Sequence, residues 1–562
     1  MGRLATALPA LRWMRGYDRK NLPGDVTAGI TTAVMLIPQA MAYAMLAGLP
    51  PIVGLYASTV PLAIYALLGS SRQLAVGPVA MVSLMVASGS AALSEAGHGD
   101  PVTLALVLAG LVGVLQLGMG IARLGFLVNL LSHPVISGFT SAAALIIGLS
   151  QLKHLLGVPL ARSHHVHEIA LEAVSRAGEI HPVTLLIGVA GMAALMALKR
   201  WKPAFPGALV VVGAASLAVW GLGLADAGVA IVGEVPSGLP APALPPLDAE
   251  TWTALAPTAL AIALVGFMES ISVAKAFATR NRYRVDANQE LIALGAANLG
   301  AAAFGGYPVT GGFSRTAVNA QAGSRTPLAS LITAGVVALT LLFLTPLFYF
   351  LPKAVLASIV MVAVFGLVDV RTFLRLLKVK PADALMLAIT FFATLSLGIE
   401  LGVGLGVAAS LLAFLRRTAS PHVAMLGRVP GSDEYRNLAR HPEAIAPDGI
   451  AVMRVDEALW FGNVAALRAH VDEALNAEPA PRAFVLDMSA VNDVDASGVE
   501  ALEELVDELE RQDIALILVR VKGPVLDVLR RAGLVDHLGP ARIAETVREA
   551  VERVQEAVPL AG

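Results

Sequence analysis

The sequence predicts an α-helical polytopic membrane protein with about a dozen or more transmembrane helices, ending in a small α/β domain. Three observations carry this prediction. The chain is 56% hydrophobic and 15% charged with a mean hydropathy of +0.72, far too apolar for a chain dissolved in water. Long apolar segments follow one another from Asp25 to Arg417. Charge is concentrated beyond them: residues 418–562 hold 39 of the 82 charged side chains, 25 acidic and 14 basic.

Residues 1–24 form a basic, amphipathic start with Arg3, Arg12, Arg15, Arg19 and Lys20. No small-residue cleavage site follows a proper apolar run, so a cleaved signal peptide is not expected. Positive charge before the first span places this end in the cytoplasm.

Residues 25–417 read as a transmembrane transport domain, because a span needs roughly 20 apolar residues and a dozen or more such segments fit. The joints at Arg123, Lys199 to Lys202, Arg280 to Arg284, Arg371 to Lys380 and Arg416–Arg417 are basic and are placed inside. The joints Ser94 to Pro101 and Asp226 to Glu250 contain no Lys or Arg and are placed outside. Lys153 to His181 is also placed outside, although it carries Lys153, Arg162 and Arg176.

Two predicted spans are broken by glycine and proline, at Val76-Gly77-Pro78-Val79 and at Tyr307-Pro308-Val309-Thr310-Gly311-Gly312. Gln39 precedes Pro78 by 39 residues, and Glu269 precedes Pro308 by the same 39. The halves therefore read as one repeated unit. Paired broken helices in matching positions point to a binding site near the bilayer midplane.

Residues 418–447 read as a polar linker. In 448–557, short β-rich runs alternate with helical patterns: strands over 450–455, 483–488 and 514–521, helices over 465–476, 497–512 and 541–555.

Ionisable residues inside a membrane are functional candidates by default. Glu269 and Arg315 are the two that stand out. A helix starting near Phe313 would turn unpaired N–H groups toward the break, and a second start near Val79 would face it, so the gap reads as an anion site with Arg315 adding a full charge. Glu269 reads either as a proton carrier or as a permanent partner of Arg315. Gln39 and Tyr43 share a helix face and could contact the same ligand.

The segments Pro38-Gln39-Ala40-Met41-Ala42-Tyr43-Ala44, Ala47 to Pro51, Gly54 to Ser58, Gly69 to Arg72 and Val76 to Ala80, with Glu269-Ser270-Ile271 and Phe313-Ser314-Arg315, resemble the sulfate permease family of anion transporters. Asp495-Ala496-Ser497-Gly498 is similar to STAS domains. The resemblance implies a seven-plus-seven inverted repeat with core and gate domains, elevator-like alternating access and a homodimer in an inner cell membrane, with the N-terminus and the STAS domain cytoplasmic.

The same resemblance implies a substrate site formed by Gln39, Tyr43, Val79, Gly312, Ser314 and Arg315, with Glu269 tied to ion coupling. Relatives often carry an aromatic where this chain has Val79, which makes the pocket roomier here. The expected ligand is a small inorganic or carboxylate anion, sulfate first, coupled to protons, with sodium coupling or exchange as alternatives. Bicarbonate or C4-dicarboxylates are alternative substrates, and an uncoupled channel is an alternative mechanism.

Ser497 resembles a phosphorylated serine of soluble STAS proteins, which would make the tail a phospho-switch, and the STAS domain is also expected to meet a cytosolic partner. With Glu500 it also forms a capping-box pattern that would explain it structurally. The absence of cysteine excludes thiolate chemistry. No phosphate-binding glycine loop or nucleic-acid signature is present, and no enzyme, cofactor or metal site is expected. His164, His165, His167 and Glu168 read as a solvated loop, and Gly402, Gly404 and Gly406 as small residues for close helix packing.

Overall fold

The computed structural model describes residues 9–126, 132–160, 166–201, 207–242, 245, 248–477 and 479–557. It divides into two compact units, Met1–Ser410 and Leu411–Gly562.

The first unit is helical. Its first half runs α1 (Leu22–Leu46), α2 (Pro51–Leu68, interrupted at residues 57–59), strand β1 (Val76–Gly77), α3 (Ala80–Glu95), α4 (Pro101–Ile121), α5 (His133–Leu156), α6 (Pro182–Trp201) and α7 (Gly207–Gly221). The second half repeats the order: α8 (Ala249–Arg280), α9 (Ala287–Ala303), strand β2 (Thr310–Gly311), α10 (Phe313–Gln321), α11 (Leu328–Phe343), α12 (Lys353–Val364), α13 (Pro381–Leu397) and α14 (Ile399–Ala419). These helices fall seven to a half, with a two-residue strand before the third; the further helices Val166–Ser175 and Val370–Val379 are additional to them. Among the described residues, seven helices are long and apolar enough to cross a membrane by themselves, and shorter apolar helices supplement them.

The strands β1 and β2 pair antiparallel, Val76 opposite Gly311 and Gly77 opposite Thr310. Equivalent segments that run in opposite directions are what an inverted repeat produces. Aspartates start several helices: Asp100 accepts from Val102 N–H, Asp248 from Thr251 N–H and Asp286 from Asn288 N–H, at 2.9 to 3.0 Å.

Packing sorts the helices into two groups. In one, α4 packs on α9 and α8, and α1 on α11 and α10; in the other, α5 packs on α13 and α6 on α12 and α7. The groups meet where α7 and α12 touch α1 and where α3 touches α5. Glycines permit the closest crossings: a Cβ on Gly295 of α9 would lie 2.5 Å from the backbone nitrogen of Leu117 in α4. Gly402 and Gly406 of α14 also abut neighbours, at Thr394 and Val135, whereas Gly404 faces open space. Only two of these three glycines therefore serve close packing.

Two buried carboxylates tie the halves together. Asp25 of α1 accepts from Arg325 N–H (2.7 Å), Thr326 N–H (3.0 Å) and the Thr326 hydroxyl (2.7 Å), fixing the joint after α10. Glu290 of α9 accepts from the Tyr65 hydroxyl (2.6 Å), Ser70 N–H (2.7 Å) and Ser71 N–H (3.0 Å), fixing the joint before β1. Each carboxylate is compensated by several hydrogen bonds, which burial of such a group demands.

The segment Lys153 to His181 is not all loop: helix Val166–Ser175 contains His167 and Glu168. His164 and His165 lie outside the described residues.

The second unit is a six-stranded mixed sheet of order β4-β3-β5-β6-β7-β8, formed by Val423–Arg428 (β3), Tyr435–Asn437 (β4), Ile450–Val455 (β5), Ala483–Asp487 (β6), Ala515–Val519 (β7) and Ile543–Ala544 (β8). Helices α15 (Val464–Leu475), α16 (Ala496–Arg511) and α17 (Gly523–Arg531) cover one face, and α18 (Val547–Ala557) the other. Each face has its own apolar core, so this is a layered α/β domain. Residues 418–447, read as a linker, instead supply β3 and β4, and β3 pairs antiparallel with β5 from Val423 opposite Val455. The capping-box reading of Ser497 also fails: the cap is Asp495, whose side chain accepts from Gly498 N–H at 2.8 Å, and Ser497 sits inside the first turn of α16.

Candidate functional site

The starts of α3 and α10 meet head to head. Val79 and Gly312 are their N-cap residues, both extended in backbone, and neither provides a side-chain cap. The first N–H groups of both helices therefore remain for another acceptor. The starts are close: a Cβ placed on Gly312 would be 3.4 Å from Cγ1 of Val79 and 3.1 Å from Nη2 of Arg315.

A polar scaffold holds this geometry. Asn298 of α9 accepts from Val309 N–H (2.7 Å) and donates to the Val309 carbonyl (3.1 Å) and to Gln116 of α4 (3.0 Å). Ser270 of α8 accepts from Gly311 N–H at 2.8 Å and bonds the Thr310 hydroxyl at 2.6 Å. Thr316 accepts from Ala75 N–H at 3.1 Å, and Asn319 donates to the Gln73 carbonyl at 2.9 Å. Each break thus has its backbone groups paired by side chains from neighbouring helices, which is what a non-helical segment at membrane depth requires.

Arg315 sits in the first turn of α10 and is 2% exposed. One terminal nitrogen, Nη1, donates to the Pro78 carbonyl at the other break. Its Nε and Nη2 are buried without a hydrogen-bond partner, as is Oε2 of Glu269. No ion pair links Glu269 to Arg315 among the described residues. The permanent-partner reading of Glu269 thus lacks its contact.

These groups face one cavity of about 580 Å³. Gln39 and Tyr43 of α1, Val79 of α3, Glu269 of α8, and Gly312, Ser314 and Arg315 of α10 all line it. The expected substrate-site residues and Glu269 therefore line one cavity. Ser497 belongs to the other unit. The opposite wall is built by the second helix group, from Phe139 and Thr140 of α5, Lys199 of α6 and Val364 of α12.

Sequence reasoning missed the scaffold of Asn298, Ser270, Thr310 and Thr316, together with the gate-side wall. Uncharged polar residues in spans were the available signal. Asn298, fully buried in an apolar helix, was the clearest of them.

Comparison with known proteins fits this arrangement. Residues 22–390 match the model of the sulfate permease family, and residues 441–550 that of the STAS domain. The chain belongs to the sulfate permease family. This family member is 41% identical to Sulfate transporter 4.1, chloroplastic, of Arabidopsis thaliana, over 97% of this chain and 82% of that one. It is 40% identical to a probable sulfate transporter of Mycobacterium tuberculosis, over 97% of each.

Among solved structures, the murine Solute Carrier 26 family member A9 anion transporter, in its inward-facing state, superposes with a TM-score of 0.91 at 26% identity, covering 98% of this chain and 94% of that one. The transmembrane domain of the cyanobacterial bicarbonate transporter BicA superposes with a TM-score of 0.61 at 26% identity, covering 70% and 98%. The fold is that of a multi-pass membrane transporter with a C-terminal STAS domain.

Proposed function

We propose that this sulfate permease family member is a secondary active transporter of sulfate, driven by protons and working by elevator-like alternating access. The observation that carries the reading is the pair of uncapped helix starts, α3 and α10, converging beside two unpartnered buried nitrogens of Arg315. Such donors stabilise an oxyanion through charge-assisted bonds that water would otherwise supply. The relatives named for sulfate support the choice of anion.

In this reading Gln39, Tyr43 and Ser314 complete the seat, and Val79 leaves room beside it. The two helix groups act as core and gate, with the site on the core and sliding past the gate wall of α5, α6 and α12. Glu269 carries the coupling proton, because its buried Oε2 faces the same cavity without a partner. Sodium coupling or anion exchange would leave that proton role unused. We further propose an inner-membrane homodimer with the N-terminus and STAS domain cytoplasmic, and a cytosolic partner for the tail acting through Ser497.

The test is uptake of labelled sulfate into proteoliposomes. Arg315→Ala should weaken apparent affinity about tenfold or more, since hydrogen bonds to charged groups contribute about 1.5–3 kcal/mol each. Unchanged affinity rejects the site. For coupling, an acidic exterior should accelerate uptake in the wild type and lose that effect in Glu269→Gln; identical responses reject the proton role.

A second reading, bicarbonate or a C4-dicarboxylate as substrate, is favoured by the roomy cavity and by the likeness to BicA. Competition of sulfate uptake by bicarbonate, chloride, fumarate and succinate ranks these anions. Saturation and trans-stimulation separate a carrier from an uncoupled channel.

A further inference from the structure

A second basic pocket, of about 650 Å³, lies away from the central cavity. Three loops of the first helix group build it: the joint after α2 supplies Arg72, the joint before α9 supplies Arg284, and the joint after α10 supplies Arg325. The N-terminal helix Ala10–Arg15 closes it with Trp13. These joints include the basic Arg280 to Arg284 turn, so the pocket opens on the face predicted to be cytoplasmic.

Three guanidinium groups line it against one carboxylate. None of the three guanidinium groups has an ion pair among the described residues. Arg72 stacks on the Tyr283 ring at 4.9 Å, which orients it and leaves its edge donors available. Nε1 of Trp13 is buried without a hydrogen-bond partner. The one carboxylate lining the pocket, Asp286, is engaged by Asn288 and Gln289 N–H groups. The buried carboxylates behind the walls, Asp25 and Glu290, are likewise engaged.

From this geometry we infer a binding site for a tetrahedral oxyanion, held by Arg72, Arg284 and Arg325 with Trp13 as a further donor. Planar guanidinium forks match phosphate and sulfate oxygens, and an indole N–H is a donor only. The chemistry is shared by free inorganic phosphate and by the phosphate of an anionic lipid headgroup.

Occupancy would reach the central cavity through bonds already in place. Arg72 N–H donates to the Tyr283 hydroxyl (3.1 Å), which donates to Gln73 Oε1 (2.7 Å). The Gln73 side chain donates to the Ser324 carbonyl (3.3 Å), and the Gln73 backbone carbonyl accepts from Asn319 of α10 (2.9 Å). A bound anion therefore braces the joints that carry β1 and α10, and the site is regulatory in character.

The full chain with Arg315→Ala, whose central cavity is expected to bind anions at least about tenfold more weakly, separates the second pocket from the first. Its unfolding temperature is measured in detergent with and without inorganic phosphate, and in nanodiscs of phosphatidylcholine with and without phosphatidylglycerol. At least one probe should raise the midpoint. Adding R72Q and R284Q should weaken that effect about tenfold or more, while R72K with R284K, which keep the charge, should retain part of it. A response to phosphate identifies a free oxyanion, and a response to phosphatidylglycerol alone a lipid headgroup. No response to either probe, or one that R72Q and R284Q leave unchanged, overturns the site. Loss of uptake in Arg315→Ala bears on the transport reading and leaves this one untouched.

Discussion

Asn298 shows how a single uncharged side chain fixes the candidate site. Its amide joins the Val309 backbone on both sides and reaches Gln116 on the neighbouring helix α4. Replacing it with Ala leaves buried donors and acceptors unpaired, at about 1–3 kcal/mol. Asn298→Ala should therefore lower the unfolding midpoint and also weaken sulfate binding, because the second break loses its brace. A normal affinity in a destabilised protein would make Asn298 purely structural. Its role was not legible in the sequence, since a lone Asn in an apolar run has many uses and only its partners single one out. Arg315 was legible because a guanidinium at membrane depth has few tolerable placements.

At the scale of elements, the helix crossings depend on glycine. Gly113 of α4 and Gly295 of α9 lie in one crossing, each with the other helix's backbone where a side chain would go. Gly295→Val should separate the helices and destabilise the unit by about 1–3 kcal/mol or more, read as a lower unfolding midpoint in detergent. Gly404→Val, which faces open space, is the matched control and should change little. The broken helices were legible from Gly and Pro alone. The antiparallel strands between them were not, because two residues are too short for any periodicity to register.

At the scale of the whole molecule, the tail begins earlier than its composition suggests. A cut after Pro447 removes β5 and leaves β3 with an unpaired edge, which invites aggregation. A cut after Ser420 removes the sheet whole while keeping α14. Size-exclusion profiles should show the longer truncate aggregated and the shorter one monodisperse; two equally well-behaved proteins would contradict the assignment of β3 to the tail domain. The strands escaped notice because Val423–Arg428 and Tyr435–Asn437 are embedded in polar, proline-bearing sequence, and only pairing with distant β5 makes them strands.

What the sequence determined by itself was the solvent of each part, the repeat and the breaks. Hydropathy, charge placement and proline act locally and leave their mark in order along the chain. Tertiary structure alone decided that the two breaks face each other, that Arg315 bonds Pro78 across the pseudosymmetric halves, and that Glu269 has no salt bridge among the described residues. The first two of these join residues more than two hundred positions apart, and no local pattern encodes which buried polar groups will find one another.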